Sequence, residues 1–430
     1  MMDESPWWQG LRRFGMRPGL ERTAALLEAL GRPERHYPTV HVGGTNGKGS
    51  TVALIAAGLQ AAGLKIGRYT SPDLGDVRER MTVGDGRSLI PPHRFKRLMD
   101  QVEDAAHGLS EPPTRFEALT ALAFLAFANA GLDAAVIEVG LGGRYDATNV
   151  LERPLAVAFG PIALDHTAVL GPTVAHIAVD KAGIMKPGVP VASVWQSPPA
   201  RQALVEAARR AGVDIRWARG QIVAVGRDYV QARIRGRVLQ AGLAGAHQAR
   251  NLALAATVLD LVGPRLGIDT EAARAGFAGV EWPARLEWME PGAPEPPVLL
   301  DAAHNLHGAR ALASALAGPV YPRPRHLVFG VLADKPGRAM LRAVLPQVKS
   351  AVLVRPESSR AGDPDTWTAG LRVEVPVEHA GSVARAYQMA VARAKADGGE
   401  AMVVVMGSFD VVGPVRRGLI QTEAPSATER

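Results

Sequence analysis

The chain of 430 residues contains no cysteine. Disulfides, thiolate metal sites and thiol nucleophiles are therefore excluded, any catalysis must use other groups, and a cytosolic home is expected. A long hydrophobic run is also missing. The longest, ALTALAFLAFANAGL (118–132), is interrupted by Thr120 and Asn129 and is too short for a bilayer, so it reads as a buried helix. The N-terminus, MMDESPWWQGLRRFG, opens with acids and has no apolar core, which argues against a signal peptide. No repeat of solenoid period is present, and only the tail QTEAPSATER is low in complexity. Charge of one sign is not strongly in excess. The 49 basic residues against 42 acidic give +7, spread along the chain, which suits small anionic ligands better than nucleic acid or a membrane surface. The densest basic patch, ARIRGRVLQ (232–240), puts Arg233, Arg235 and Arg237 on alternate positions and reads as the wet face of a hairpin strand.

What is present is alternation. Short Val- and Ile-rich runs (TVHVGG, AAVIEVGLGG, LAVAFG, VPVASVW) are separated by Ala- and Leu-rich segments of helical period. A second series runs from PPVLLDAAHN through HLVFGVLAD and SAVLVRPE to AMVVVMGSFD. This is the pattern of parallel sheets covered by helices. The expected fold class is α/β: a parallel-sheet domain over 1–290, followed by a smaller Rossmann-like α/β domain over 291–430. The proline-rich stretch EPGAPEPP (290–297) is the expected linker between them.

The stretch VHVGGTNGKGSTVALIAAGLQAAG (40–63) carries the strongest chemical signal. The common nucleotide loop has Gly, four residues, then Gly-Lys followed at once by Ser or Thr. Here Gly49 intervenes between Lys48 and Ser50-Thr51, and Val42 stands where the first Gly belongs. The context is nevertheless that of a site, since the loop lies between a strand and a helical segment. Gly43, Gly44, Gly47 and Gly49 let backbone N–H groups turn inward, Lys48 can bridge outer phosphates, and Thr45 and Ser50 supply hydroxyls. Phosphoryl transfer also needs magnesium held by oxygen or imidazole. Glu138 closes an apolar strand, His166 follows another in GPIALDHTAVLG, and Ser71 follows a third in RYTSPDL. Glu138 alone equally suits a satisfied buried carboxylate, and His166 alone suits a packed loop histidine. Together they fall where open α/β sheets bind ligands.

With these motifs the chain resembles the folylpolyglutamate synthases, with or without dihydrofolate synthase activity, of the Mur-ligase superfamily. The resemblance runs through GLERTAALLEALGRP, HVGGTNGKGST, RYTSPDL, TRFEALTALAF, VIEVGLGGRYDATNV, LDHTAVLG, DKAGIMKPGVPV, HQARNLALAA, WPARLE, DAAHNLHGAR, VFGVLADK and VMGSFDVVG. Thr45-Asn46-Gly47-Lys48-Gly49-Ser50-Thr51 is that family's variant of the loop. The resemblance implies an ATP-dependent ligase: a carboxylate takes the γ-phosphoryl group, and glutamate's amine then displaces phosphate from the acyl phosphate. Gly44 and the loop that follows it, with Lys48, would hold ATP. Ser71, Glu138, His166 and Lys181 would hold one or two Mg²⁺ ions, Lys181 as a CO₂-derived carbamate; on bare sequence Lys181 reads as a salt-bridged surface lysine. Lys48, Lys181 and His166 are the implied catalytic groups. Asn251 resembles the adenine-side asparagine. Arg285, Asp301 and His304 resemble the hinge arginine and the C-terminal contacts to phosphate and ribose. Thr114, Phe116, Asp146 and Ala147 match positions lining a dihydropteroate pocket, with Arg80 and Ser408 as further substrate-side residues. The sequence departs from the family at Asp180 and Asp73, and at Ala284 and Ala302, where glycines are usual.

The implied partners are ATP, L-glutamate and a folate or dihydropteroate, with no nucleic acid or membrane, and a monomer is expected. Two alternatives remain at this stage: a Mur-type ligase of a different acid, and a nucleotide-dependent binding protein.

Overall fold

The structure is a computed structural model that describes residues 5–11, 19–84 and 88–423. Its contacts divide the chain into two compact units. The first comprises residues 1–221, 232–241 and 250–280, and the second comprises 222–231, 242–249 and 281–430.

The first unit is built on seven strands: β1 (Thr39–Gly43), β2 (Ile66–Tyr69), β3 (Met81–Gly84), β4 (Ala134–Glu138), β5 (Ala156–Phe159), β6 (Val191–Val194) and β7 (Ile215–Ala218). They order as β3-β2-β4-β1-β5-β6-β7. All pairs are parallel except β2–β3. Strand β1 is central and wholly buried, as a parallel strand covered on both faces must be. The apolar run 118–132 falls mainly in the buried helix Arg115–Ala130, whose Leu119, Leu122, Phe124 and Phe127 join one core cluster. Residues 221–241 form a separate three-stranded sheet of β8 (Gln221–Val225), β9 (Val230–Ile234) and β10 (Arg237–Ala241). Arg235 and Gly236 turn the β9–β10 hairpin at positive φ, with Arg233 exposed on the strand as expected. Arg235 pairs with Asp260 and Arg237 with Glu271, so part of the patch's charge is locally balanced.

The second unit carries β11 (Glu287–Met289), β12 (Val298–Asp301), β13 (Arg325–Phe329), β14 (Ser350–Val354), β15 (Val377–Ala380) and β16 (Met402–Met406), in the order β11-β12-β16-β13-β14-β15. Only β11–β12 is antiparallel. The expected boundary at 290 is corrected. The contact division falls at 280/281, because β11 hydrogen-bonds to β12, and EPGAPEPP is the connection between those two strands within the second unit. Among the described residues no helix is long and apolar enough to cross a membrane.

Candidate functional site: a nucleotide loop and a buried lysine

In the first unit the chemistry gathers at the carboxyl ends of β1, β2, β4 and β5. The loop leaves β1 with Gly44 at φ +131° and enters the helix Lys48–Ala61 through Gly47 at φ +75°. Both glycines are required by their surroundings as well as by φ. A Cβ on Gly44 would lie 3.0 Å from the Gly160 backbone, and one on Gly47 would lie 2.4 Å from the Asn251 Oδ1. The buried Asn251 side chain therefore packs directly on the loop.

The loop's amides are only partly available. Thr45 and Asn46 both donate to the Pro161 carbonyl, at 2.8 and 3.2 Å, and the Thr45 hydroxyl bridges the backbone of Ala163. The 45–46 segment is thus tied to the strand β5 exit. The first-turn amides at Lys48 and Gly49 open the helix, where N–H groups can turn toward an anion. The first intrahelical bond runs from the Thr51 amide to the Gly47 carbonyl.

Lys48 reaches over this turn, with its Nζ 3.4 Å from the Thr45 carbonyl and 3.7 Å from Glu138 Oε1. Glu138, the last residue of β4 and buried, accepts the Ser71 amide on its other oxygen at 3.2 Å. Lys48, Glu138 and Ser71 are thus one cluster. His166, at φ +50°, precedes the short helix Thr167–Leu170 and lies 3.9 Å from Asp165, with about a third of its side chain exposed. Among the described residues no three His, Asp or Glu form a group able to hold a metal. The expected magnesium set is therefore not a cage of such side chains. Magnesium beside a nucleotide takes most of its oxygens from phosphate and water, so one carboxylate and a nearby hydroxyl fit its needs.

Lys181 ends the helix Val174–Lys181 and is buried, with its Nζ 3.4 Å from the Gly142 carbonyl. Burial, with the Lys48 cation nearby, lowers its ammonium to about 7, against the pull of Asp180, Asp165 and Asp146. The surface salt-bridge reading is thereby excluded. A Cβ on Gly143 would lie 2.7 Å from the Lys181 Cα, so the loop after β4 lies flush on this helix end. Asp165, which lies on the same β5–β6 connection as Lys181, carries no role in the sequence reading. Its only sequence signal is an acid beside His166.

The substrate-side residues have largely internal partners. Asp146 is buried and accepts from the Thr148 amide at 3.0 Å, the Thr148 hydroxyl at 2.5 Å and the Leu141 amide at 2.8 Å. Burial raises its carboxyl above the usual range, despite those bonds. The Thr148 hydroxyl, having donated to Asp146, accepts from Nε2 of the buried His41 at 2.8 Å. Burial, then Lys186, lowers the His41 imidazole to about 3, so it is neutral. Asp146 caps the 3₁₀ turn Ala147–Val150 that holds Ala147. Thr114 is the N-cap of the helix Arg115–Ala130, in a reciprocal capping box with Glu117, which Arg22 clamps at 2.7 Å. Its hydroxyl therefore serves the helix. Phe116 is half-buried, 6.3 Å from Tyr69, and its ring fills the space a Cβ on Gly140 would need. Arg80 pairs with Asp73 at 2.6 Å, so the unusual Asp73 holds a partner.

In the second unit a further cluster forms at the carboxyl ends of β12 and β16. Asp301 accepts from the Leu286 and Ala303 amides at 3.0 and 2.9 Å, and burial raises its carboxyl against the pull of Arg285. The Arg285 guanidinium lies 5.2 Å over the Phe409 ring, and the His304 ring is 5.9 Å from the same Phe409. The His304 Nδ1 is 3.0 Å from the Ala302 carbonyl. The Ser408 hydroxyl accepts from the Asp410 amide at 3.1 Å. Ala284, where the family usually has glycine, holds φ +57°. That is a left-handed backbone without the residue that suits it.

A profile of the "Mur ligase, glutamate ligase domain" matches residues 284–409, which contain this second cluster. The doubly covered parallel sheet, its nucleotide loop and this match define a ligase of the Mur class. The chain is 38% identical to the dihydrofolate synthase/folylpolyglutamate synthase of Mycobacterium tuberculosis, over 80% of this chain and 76% of that protein. It is 39% identical to the Haloferax volcanii protein named "Probable bifunctional folylpolyglutamate synthase/dihydropteroate synthase", over 94% of this chain, and spans only 49% of that longer protein. A solved M. tuberculosis folylpolyglutamate synthase complexed with ADP superposes with TM-score 0.84 at 35% identity, covering 95% of this chain and 96% of that one. E. coli FolC in complex with DHPP and ADP superposes with TM-score 0.84 at 29% identity, with 97% of each chain covered. The chain belongs to the folylpolyglutamate synthase/dihydrofolate synthase family.

Proposed function

We propose that this protein is an ATP-dependent ligase that joins L-glutamate to the terminal carboxylate of a folate. The observation that carries the reading is the grouping of the Lys48 helix start, Glu138 at the end of β4 and the buried Lys181 at the end of its own helix. A carboxylate has no leaving group at neutral pH. Its oxygen attacks the γ-phosphorus and ADP departs; the amine nitrogen of glutamate then attacks the acyl carbon and inorganic phosphate departs. Catalysis here is positioning and charge placement.

The helix-start amides and Lys48 orient the phosphates, and Asn251 packs beside them. Ser71, Glu138, His166 and Lys181 in its carbamate form are the groups that would hold magnesium, one or two ions, which neutralises phosphate charge when bound. Carbamylation would turn Lys181 from a buried cation into an anion facing the metal. Within the second unit, Arg285, Asp301 and His304 are proposed as nucleotide-side groups and Ser408 as a substrate-side group. Dihydropteroate is proposed as a second acceptor on the strength of Phe116, Asp146, Ala147 and Arg80, together with the DHPP bound by the E. coli neighbour. Thr114 contributes there through its helix cap. A monomer acting in the cytosol completes the reading.

Steady-state ADP release tests it, with tetrahydrofolate or dihydropteroate as acceptor and glutamate present or withheld. ADP release that needs both acceptor and glutamate supports the ligase. Release indifferent to glutamate would overturn it in favour of a nucleotide-dependent binding protein.

A further inference from the structure

The second unit contains a cavity of about 610 Å³ that no step above uses. It opens beside the helix Gly337–Val344, at the carboxyl ends of β13 and β14. Its floor is Trp367, almost fully buried, and two glycines make room for that ring. A Cβ on Gly337 would lie 2.5 Å from Trp367, and one on Gly362 would lie 2.8 Å from it. The wall is cationic. Arg338 and Arg342 line it with Lys335, which is paired to Asp334 at 3.6 Å, and the acid among the lining residues is Asp363. That acid is already engaged, since its Oδ1 caps the helix Pro364–Thr368 by accepting the Asp365 amide. Arg338 is exposed and spends one bond on the Gly370 carbonyl, while Arg342 is exposed and makes no side-chain ion pair or hydrogen bond among the described residues. Four residues apart on one helix, the two guanidinium stems are neighbours about 5–6 Å apart at Cβ.

The cavity is joined to the glutamate-ligase cluster by tight backbone packing within the same unit. A Cβ on Gly407, the residue before Ser408, would lie 2.3 Å from the Gly330 carbonyl. The next residue, Val331, accepts the Gly362 amide at 2.9 Å and lies against Gly337. Ser408 and the cavity thus share one edge of one sheet.

Each turnover of the proposed reaction adds a residue whose α-carboxylate remains free. The lengthening product is therefore a flexible polyanion with carboxylates at regular spacing, similar to that of adjacent positions on one helix face. We propose that the cavity walled by Arg338 and Arg342 is a subsite for the γ-glutamyl tail of the acceptor. The proposal rests on the ligase reading and adds to it a determinant of acceptor length.

The test compares monoglutamyl and tetraglutamyl acceptors in the full-length enzyme. The variant is R338E/R342E, with R209E/R216E, at two exposed arginines of the first unit, as a control of equal charge change. The tail subsite predicts that R338E/R342E raises KM for the tetraglutamyl acceptor roughly tenfold relative to the monoglutamyl one, and shortens the product distribution by mass spectrometry. The control should leave that ratio at the wild-type value. A ratio unchanged in R338E/R342E, or changed equally in the control, overturns the subsite while leaving the ligase standing. Equal inhibition of wild type by α-linked and γ-linked tetraglutamate would also overturn it, as non-specific anion attraction. Failure of wild type to use either acceptor would instead remove the functional reading itself.

Discussion

Lys181 offers the sharpest test of the site. Its side chain is buried, and its ammonium is lowered to about 7 from an ordinary value of 10.5. At pH 7 about half of such amines are neutral, against roughly one in three thousand for a free lysine. Only the neutral amine attacks CO₂, so burial raises the reactive fraction by about three orders of magnitude. Lys181→Ala should then lose about 10²–10³ in kcat, the scale of one preorganised charge at the reacting centre. Formate or acetate should partly restore turnover by placing an anion in the vacated space. Lys181→Arg should not be rescued, because it keeps a cation there and cannot be carbamylated. With ¹³C-bicarbonate, wild type should show a carbamate carbon signal that Lys181→Ala lacks. Activity should fall as pH drops through about 7, where the amine becomes protonated. In CO₂-free buffer the same residue has a stability signature. Its folded value lies below its unfolded one, so between pH 7 and 10.5 the unfolded chain binds more protons and stability rises with pH; below 7 the cost of burying the charge is complete. Lys181→Met should accordingly stabilise the apoprotein at pH 6 by about 3–5 kcal/mol more than at pH 11. An active Lys181→Arg enzyme without a ¹³C signal in wild type would refute the reasoning.

Lys48→Ala should abolish ligase turnover and weaken ADP binding at least tenfold by calorimetry, because the Lys48 ammonium lies over the helix start, near the Thr45 carbonyl and Glu138; near-normal turnover would move the ATP site elsewhere. Thr114→Ala should cost about 1 kcal/mol in urea unfolding, through the lost cap, with KM for dihydropteroate nearly unchanged. Phe116→Ala, by contrast, should raise that KM more than the KM for ATP; equal rises would make the ring structural. Ala284→Gly should stabilise the chain by about 0.5–1 kcal/mol in the same assay, since φ +57° strains alanine and suits glycine. A loss of stability there would show that the strain is relieved elsewhere.

The magnesium groups show where the reading from residues stops. Glu138 stood out because a carboxylate at the end of an apolar strand needs a reason, and the structure puts it between Lys48 and the Ser71 amide. Thr114 was placed on the substrate side by the family resemblance, yet its hydroxyl is occupied by its own helix. Both are polar residues at element ends, and sequence does not distinguish an inward-facing end from a self-satisfied one. The link from Asp146 and Thr148 to the buried His41 had no signal, because the first two share one 3₁₀ turn while His41 lies on β1, far away in sequence. The linker at 290–297 was misassigned for a related reason: proline-rich composition marks a connection, and composition does not reveal whether the strands on either side pair with each other.

The sequence alone determined the alternation of strands and helices, the nucleotide loop and its lysine, and the family, because these depend on residue type and near-neighbour spacing. Tertiary structure decided the rest. The strand order β3-β2-β4-β1-β5-β6-β7 brings β4 beside β1, and so Glu138 to Lys48 from ninety residues further along the chain. Burial made Lys181 a near-neutral amine instead of a surface cation. Solvent exclusion and cross-sheet proximity are properties of the packed whole, and the cost of a buried charge arises only once the neighbours that exclude water are in place.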